Sequence, residues 1–125
     1  LIVADLSFIS LSTVLPALTA CAGPHADIVP MVKPQFEVGR SQVGAGGVVT
    51  DPLLRAQAAL GVSRRAAELG WHTVGAVASP LPGPSGNVEY FLRLRAQTDH
   101  ALTDHALVGD DLDDAVRRAI SEGPQ

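Results

Sequence analysis

Four short apolar runs constrain this chain more than any other feature: Leu1–Ala4, Asp27–Val32, Trp71–Ala78 and Val88–Leu94. Each is short, rich in branched or aromatic residues, and bounded by turn formers, which is how strands read. Two longer segments of helical spacing lie between the first three. Leu11–Ala20 puts Leu11, Val14, Leu15 and Leu18 on one face, with Ser10 or Ser12 as its cap. Pro16 falls in its first turns, where it is tolerated best if Ser12 or Thr13 is the cap. Gly23-Pro24 stops it. The second helix starts at Thr50-Asp51-Pro52, runs to about Leu69 through Leu54, Ala58, Val62 and Ala66, and ends at Gly70. Residues 39–47 form a glycine-rich loop, and Ser79–Asn87 is a loop of prolines and glycines. Alternating strands and helices predict an α/β sheet with parallel strands. The last two strands have no helix between them and are expected to pair antiparallel.

The 125 residues suffice for one core, and 46% apolar content with mean hydropathy +0.22 argues against disorder. No apolar run is long enough for a membrane span. The start at Leu1-Ile2-Val3-Ala4-Asp5 has no initiator Met, basic region or cleavage site, so it is not a signal peptide. It reads as a chain cut in at a buried strand, a piece of something longer. The single cysteine, Cys21, precludes an internal disulfide and fits a reducing, cytoplasmic setting. The net charge of −4 divides unevenly. Residues 1–98 carry Lys33 and six arginines against six acidic groups, whereas residues 99–125 carry two arginines against seven acidic groups. The body is therefore near neutral, and the tail is acidic.

That division suggests residues 1–97 as the body and 98–125 as an acidic tail, partly helical or disordered. The tail opens with a repeat, Thr98-Asp99-His100-Ala101-Leu102 then Thr103-Asp104-His105-Ala106-Leu107. A five-residue period does not place both Asp-His pairs on one helical face, so no metal site is expected, and the repeat reads as a linker or local helix. Asp110–Ile120 suits a short helix, acidic early and with Arg117-Arg118 late.

Lys33 is the only lysine, and it ends an apolar strand. A lysine, unlike an arginine, can give up its proton when desolvated and act as a base. The plainer alternative is a side chain that snorkels to solvent. Topology favours a role. Asp5 and Lys33 stand at the carboxyl ends of the first two strands, the working edge of an open α/β sheet. An antiparallel last strand would start on that same edge and bring Glu89 to it. The competing reading makes Asp5 and Glu89 loop caps and Lys33 an ordinary ion pair.

Three segments then resemble a family. Val3-Ala4-Asp5-Leu6-Ser7-Phe8-Ile9-Ser10, Val32-Lys33-Pro34-Gln35-Phe36-Glu37 and Gly83-Pro84-Ser85-Gly86-Asn87-Val88-Glu89-Tyr90-Phe91 are similar, in wording and order, to the TlyA (hemolysin A) family of ribosomal RNA 2′-O-methyltransferases. The wider group is the FtsJ-like methyltransferases. The resemblance covers about residues 1–95. It implies the C-terminal half of a Rossmann-like methyltransferase that uses S-adenosyl-L-methionine and a Lys-Asp-Lys-Glu tetrad. Asp5 matches the aspartate, Lys33 the second lysine and Glu89 the glutamate. The first lysine, the cofactor's glycine-rich loop, its ribose-binding acid and the family's S4-like RNA-binding module have no counterpart here.

The implied substrate is ribosomal RNA, with cytidine ribose as the acceptor and ribosomal subunits as partners. A ribose hydroxyl is a weak acid, so methyl transfer needs the oxygen aligned and its proton removed. Lys33 would serve as base or positioning group, oriented by Asp5 and Glu89. Asp5, Leu6, Ser7 and Phe8 are expected to line the cofactor pocket. Gln35 and Phe36 are expected to meet a base or ribose, and Arg40 a phosphate. Without the cofactor loop, the 125-residue chain alone is expected to be inactive. Two alternatives stand beside this: a non-catalytic RNA- or partner-binding half-domain, and a membrane-active hemolysin. The latter is disfavoured by the lack of a span, a basic amphipathic helix or a barrel pattern.

Overall fold

A computed structural model describes residues 1–98 and 105–124. The elements are β1 (Ile2–Ala4), α1 (Leu11–Cys21), β2 (Ile28–Val32), α2 (Pro34–Glu37), α3 (Pro52–Glu68), β3 (Trp71–Ala78), β4 (Tyr90–Ala96) and α4 (Gly109–Glu122). Two single 3-10 turns, Arg40–Gln42 and Ala45–Gly47, sit between α2 and α3. The strands form one sheet in the order β1-β2-β4-β3. β1 and β2 are parallel, and β4 runs antiparallel to both β2 and β3. The expected α/β sheet with a final antiparallel strand is therefore present. β4 lies between β2 and β3, a placement that the strand order in sequence does not reveal.

Local chemistry explains the boundaries. Ser10 caps α1 by accepting from the Ser12 N–H at 3.1 Å. The cap thus lies upstream of the Ser12 or Thr13 that would best have suited Pro16. Pro16 has no N–H to donate to the carbonyl four residues back, that of Ser12. Arg65 of α3 supplies a donor instead, its Nε reaching the Ser12 oxygen at 3.3 Å. The helix keeps its internal proline because a neighbouring helix fills the gap. Asp51 caps α3 through Leu53 N–H at 2.8 Å, with Pro52 at the first helical position. Gly70, at φ +85°, turns the chain out of α3 into β3.

The pairing of β2 with β4 runs Ile28–Leu94, then Met31–Phe91 and Val32–Tyr90. The interruption falls at Val29 and Pro30, where the proline has no ladder hydrogen bond to give. An ionic staple helps hold this register. Asp27, just before β2, pairs with Arg93 at 2.8 Å and Arg95 at 3.2 Å, both on β4. The hydrogen bond from Arg93 holds the Asp27 carboxyl below its ordinary range, against a smaller opposing effect of burial.

The core gathers Leu11 and Leu15 of α1, Ile28 and Val32 of β2, Ala58, Val62 and Ala66 of α3, and Tyr90, Leu92 and Leu94 of β4. α4 adds Val116, Ala119 and Ile120 to it, so the amphipathic segment of the acidic tail packs against the body. The expected helix over Asp110–Ile120 is thus present and slightly longer. Most of the Asp-His repeat, residues 99–104, lies outside the described residues. The last strand begins at Tyr90 rather than Val88, since Val88 and Glu89 close the preceding loop. The four-residue helix α2 was not anticipated.

One polar pair joins α3 to β3 inside the core: Ser63 Oγ and Thr73 Oγ1 lie 2.6 Å apart, both buried. Thr73→Val leaves the Ser63 hydroxyl without its partner and should cost about 1–3 kcal/mol in urea unfolding. The double variant Ser63→Ala/Thr73→Val should recover most of that loss. A double variant no more stable than the single one would show that the hydroxyl pair is not the source.

Candidate functional site

The register of the sheet builds the site. β1 pairs with β2 through Ala4–Pro30, so Asp5 and Lys33 leave neighbouring strands at the same edge. Val32 pairs with Tyr90, so Lys33 and Glu89, one step further, face each other across the antiparallel pair. The three charged residues, far apart in sequence, stand on one sheet edge.

Their side chains are arranged unequally. Lys33 Nζ lies 2.6 Å from Asp5 Oδ1 and donates to Ser7 Oγ at 3.0 Å. The lysine side chain is 12% exposed and that of Asp5 is 68% exposed. The ammonium is thus held against the protein by a carboxylate that faces solvent. No ion pair links Lys33 to Glu89. Glu89 is buried, at 8% exposure, and among the described residues its carboxylate has no hydrogen-bond or ion-pair partner. It lies instead against Gly83, where an added Cβ would stand 2.9 Å from Oε1.

A cleft of about 430 Å³ adjoins this edge, lined by Phe8, Ser10, Gln35, Phe36 and Arg40 among others. Phe8 is 90% exposed and adopts φ +62°, a left-handed conformation that costs a bulky residue energy. Its ring stands 5.1 Å from that of Phe36, tilted by 52°. Gln35, Phe36 and Arg40 thus share one cleft. Ser7 is found as a partner of Lys33. A larger apolar groove of about 680 Å³ between α3 and α4 shares none of these residues.

Three polar residues that sequence reasoning gave no site role support the edge. Glu37 of α2 accepts from Leu11 N–H and Ser10 Oγ, each at 2.7 Å, and so anchors the start of α1 beside the cleft. Asn87, buried, accepts from Val49 N–H at 2.9 Å and donates to Gly47 O at 2.8 Å. Arg55, buried on α3, donates to Val49 O at 3.0 Å. The signal for Arg55 was its position on the buried face of α3, three residues before Ala58 and seven before Val62. The glycine-rich loop is pinned at both ends of Gly47–Val49 and folded on itself, with Gly44 N–H on Val48 O at 2.9 Å. Its amides at Gly44, Gly47 and Val49 are spent inside the protein, which argues against a phosphate cradle and against a free surface connection. Among the described residues no group of His, Cys, Asp or Glu could hold a metal, and no helix is long and apolar enough to cross a membrane.

An open α/β sheet with an ion-paired lysine at the carboxyl ends of its parallel strands is the frame of a Rossmann-like methyltransferase. The chain belongs to the FtsJ-like methyltransferase family, whose model matches residues 1–96. It is 71% identical over 124 residues to the 16S/23S rRNA (cytidine-2'-O)-methyltransferase TlyA of Mycobacterium tuberculosis, an alignment covering 99% of this chain and 44% of that protein. It is 34% identical over 89 residues to Hemolysin A of Brachyspira hyodysenteriae, covering 71% of this chain and 37% of that protein. A solved structure of a Streptococcus thermophilus protein provisionally called a hemolysin superposes with a TM-score of 0.77 at 31% identity, covering 96% of this chain and 42% of that one. The chain therefore spans less than half the length of these relatives.

Burial raises the Glu37 carboxyl above the ordinary glutamate range, opposed by the bonds from Leu11 and Ser10. A folded value above the unfolded one means that the native state holds the proton longer. The contribution of Glu37 to stability is then full below the unfolded value and declines as pH rises through the folded one. In urea unfolding from pH 4 to pH 7, Glu37→Gln should remove that decline while keeping an acceptor for Leu11 N–H. An unchanged pH dependence in the variant would assign the decline to other groups.

Proposed function

We propose that this chain is part of an S-adenosyl-L-methionine-dependent ribosomal RNA 2′-O-ribose methyltransferase acting on cytidine in the cytoplasm. Residues 1–97 would be the C-terminal half of its catalytic domain. The observation that carries the reading is the Lys33–Asp5 ion pair at the carboxyl edge of β1 and β2, in a chain of the FtsJ-like family.

Asp5, Leu6, Ser7 and Phe8 fit one wall of a cofactor site. All four are exposed at the end of β1, and they combine a carboxylate, a hydroxyl and apolar surface. That mixture suits a ligand with an amino-acid cation and a flat purine. When bound, S-adenosyl-L-methionine supplies a methyl group on a sulfonium. The tasks left to this chain are alignment and proton handling. Lys33 holds the ribose hydroxyl by its Nζ and, as the amine, takes its proton. Asp5 and Ser7 fix the direction of that nitrogen. Glu89 is the third catalytic group of the edge, standing opposite Lys33 across the antiparallel pair. Gln35, Phe36 and Arg40 receive the RNA: a ring face for stacking, an amide for a base edge and a guanidinium for phosphate.

A second reading, a non-catalytic RNA- or partner-binding half-domain, draws support from one observation: Glu89 makes no bond to Lys33 here. The two readings differ in one assay. In a chain extended to the full length of its relatives, Lys33→Ala should lower methyl transfer to ribosomal subunits by at least about 10²-fold, the scale of a lost acid–base group. Cofactor affinity should stay unchanged. Full methyl transfer by the variant sinks the catalytic reading. The 125 residues alone offer only one wall for the cofactor and should neither bind S-adenosyl-L-methionine tightly nor transfer methyl. Calorimetric titration showing tight binding by the short chain would overturn that.

A further inference from the structure

We infer that Asn87 is a positioning residue for Glu89: it ties the glycine turn 44–49 to the loop 79–89 and so sets where the Glu89 carboxylate lies. This rests on the reading of Glu89 as a group of the methyl-transfer edge.

The bonds form a continuous chain. Asn87 is 2% exposed and uses its whole amide: Oδ1 accepts from Val49 N–H at 2.9 Å and Nδ2 donates to Gly47 O at 2.8 Å. The two bonds fix which end of the amide is oxygen, because one partner is a donor and the other an acceptor. Its backbone oxygen accepts from Gly83 N–H at 2.8 Å. Gly83 is the surface on which the Glu89 carboxylate rests, 2.9 Å from the place a Cβ would occupy. Glu89 is also held by its own carbonyl, which accepts from Ser79 N–H at 2.8 Å. Behind the turn, Arg55 of α3 holds Val49 O at 3.0 Å. The glutamate backbone is therefore fixed by the sheet end, and the wall beside its side chain is fixed by Asn87. The turn, in its turn, is anchored to the rigid helix α3.

No described side chain bonds the Glu89 carboxylate, so the shape of the wall at Gly83 helps direct it. A carboxylate directed by shape is sensitive to any shift of Gly83. Asn87 controls that shift from a position where it need touch neither RNA nor cofactor.

The test uses a chain extended to the full length of its relatives, tritiated S-adenosyl-L-methionine and purified ribosomal subunits. Asn87→Ala should lower kcat about 10–100-fold, the cost of a misplacement near 1 Å, with KM for both substrates unchanged. Gly83→Ala should do the same while keeping every hydrogen bond of the loop. Its added methyl meets the end of the Glu89 side chain, so this variant reports on Glu89 even if Asn87→Ala does not fold. Glu89→Gln should lower kcat, and Asn87→Ala/Glu89→Gln should be no slower than Glu89→Gln alone, because both changes act through one group. Three results overturn the inference. Wild-type kcat in Glu89→Gln removes the reading on which it rests. Wild-type kcat in a folded Asn87→Ala variant leaves Glu89 in the site but denies Asn87 its role. Losses that multiply in the double variant show that Asn87 acts on something other than Glu89.

Discussion

The pairing of β2 governs everything at the edge that carries Asp5, Lys33 and Glu89. It has a parallel neighbour on one side and an antiparallel neighbour on the other. A parallel pair brings two strand ends together, and an antiparallel pair brings an end to a beginning. Asp5, Lys33 and Glu89 are neighbours for that reason and no other. Side-chain alternation sharpens the constraint. A register slip of one residue between β2 and β4 would turn Lys33 to the opposite face and expose Ile28 and Val32, which are fully buried. The staple from Asp27 to Arg93 and Arg95 sits at the far end of the same two strands. A register held at one end is held at the other, so ionic contacts remote from Lys33 help set its position.

The ion pair at the edge is asymmetric, and its chemistry depends on that. Lys33 has lost most of its water, whereas Asp5 keeps its own. An exposed carboxylate gains little from pairing, since solvent satisfies it already. A largely covered ammonium gains more, because fewer water molecules are left to satisfy it. Asp5 therefore orients the lysine and remains free to turn toward other cations. The hydroxyl of Ser7 gives the nitrogen a second direction. A nitrogen fixed by two partners has its third hydrogen position, or its lone pair, aimed along one line. Under the proposed function, that line is where a ribose hydroxyl would be aligned for in-line displacement.

Much of this was legible in the sequence. The apolar runs and the breakers between them located the strands, Thr50-Asp51-Pro52 placed the start of α3, and the absence of a helix before the last strand predicted its antiparallel direction. Those features are local, and local chemistry decides them. The family was legible too, from three ordered motifs. What remained hidden depends on partners distant in the chain. Arg65 completing the helix broken by Pro16, Glu37 anchoring Leu11, and Asn87 reaching Gly47 and Val49 all join residues at least 26 positions apart. The start of β4 was misplaced by two residues because Val88 suits a strand by type, while the paired strand begins only at Tyr90. The bonds of the glycine-rich loop were hidden too, because glycine content reports what a backbone is allowed to do. It does not report which bonds the backbone then makes.

Two residues near the edge are unusual. Phe8 exposes an aromatic ring on a left-handed backbone, where a residue of that size costs about 1–3 kcal/mol. Glu89 is a buried residue whose carboxylate no described side chain bonds. Either could be removed by a common substitution: glycine or asparagine in place of Phe8, or an apolar side chain in place of Glu89. The surrounding chain instead maintains both. The cleft wall formed with Phe36 supports Phe8, and the Asn87 clamp encloses Glu89. Rigid support for such groups is what a site needs when those groups acquire their partners only from a ligand. Phe8 and Glu89 both lie near the Lys33–Asp5 pair, which supports the proposed reading of this edge.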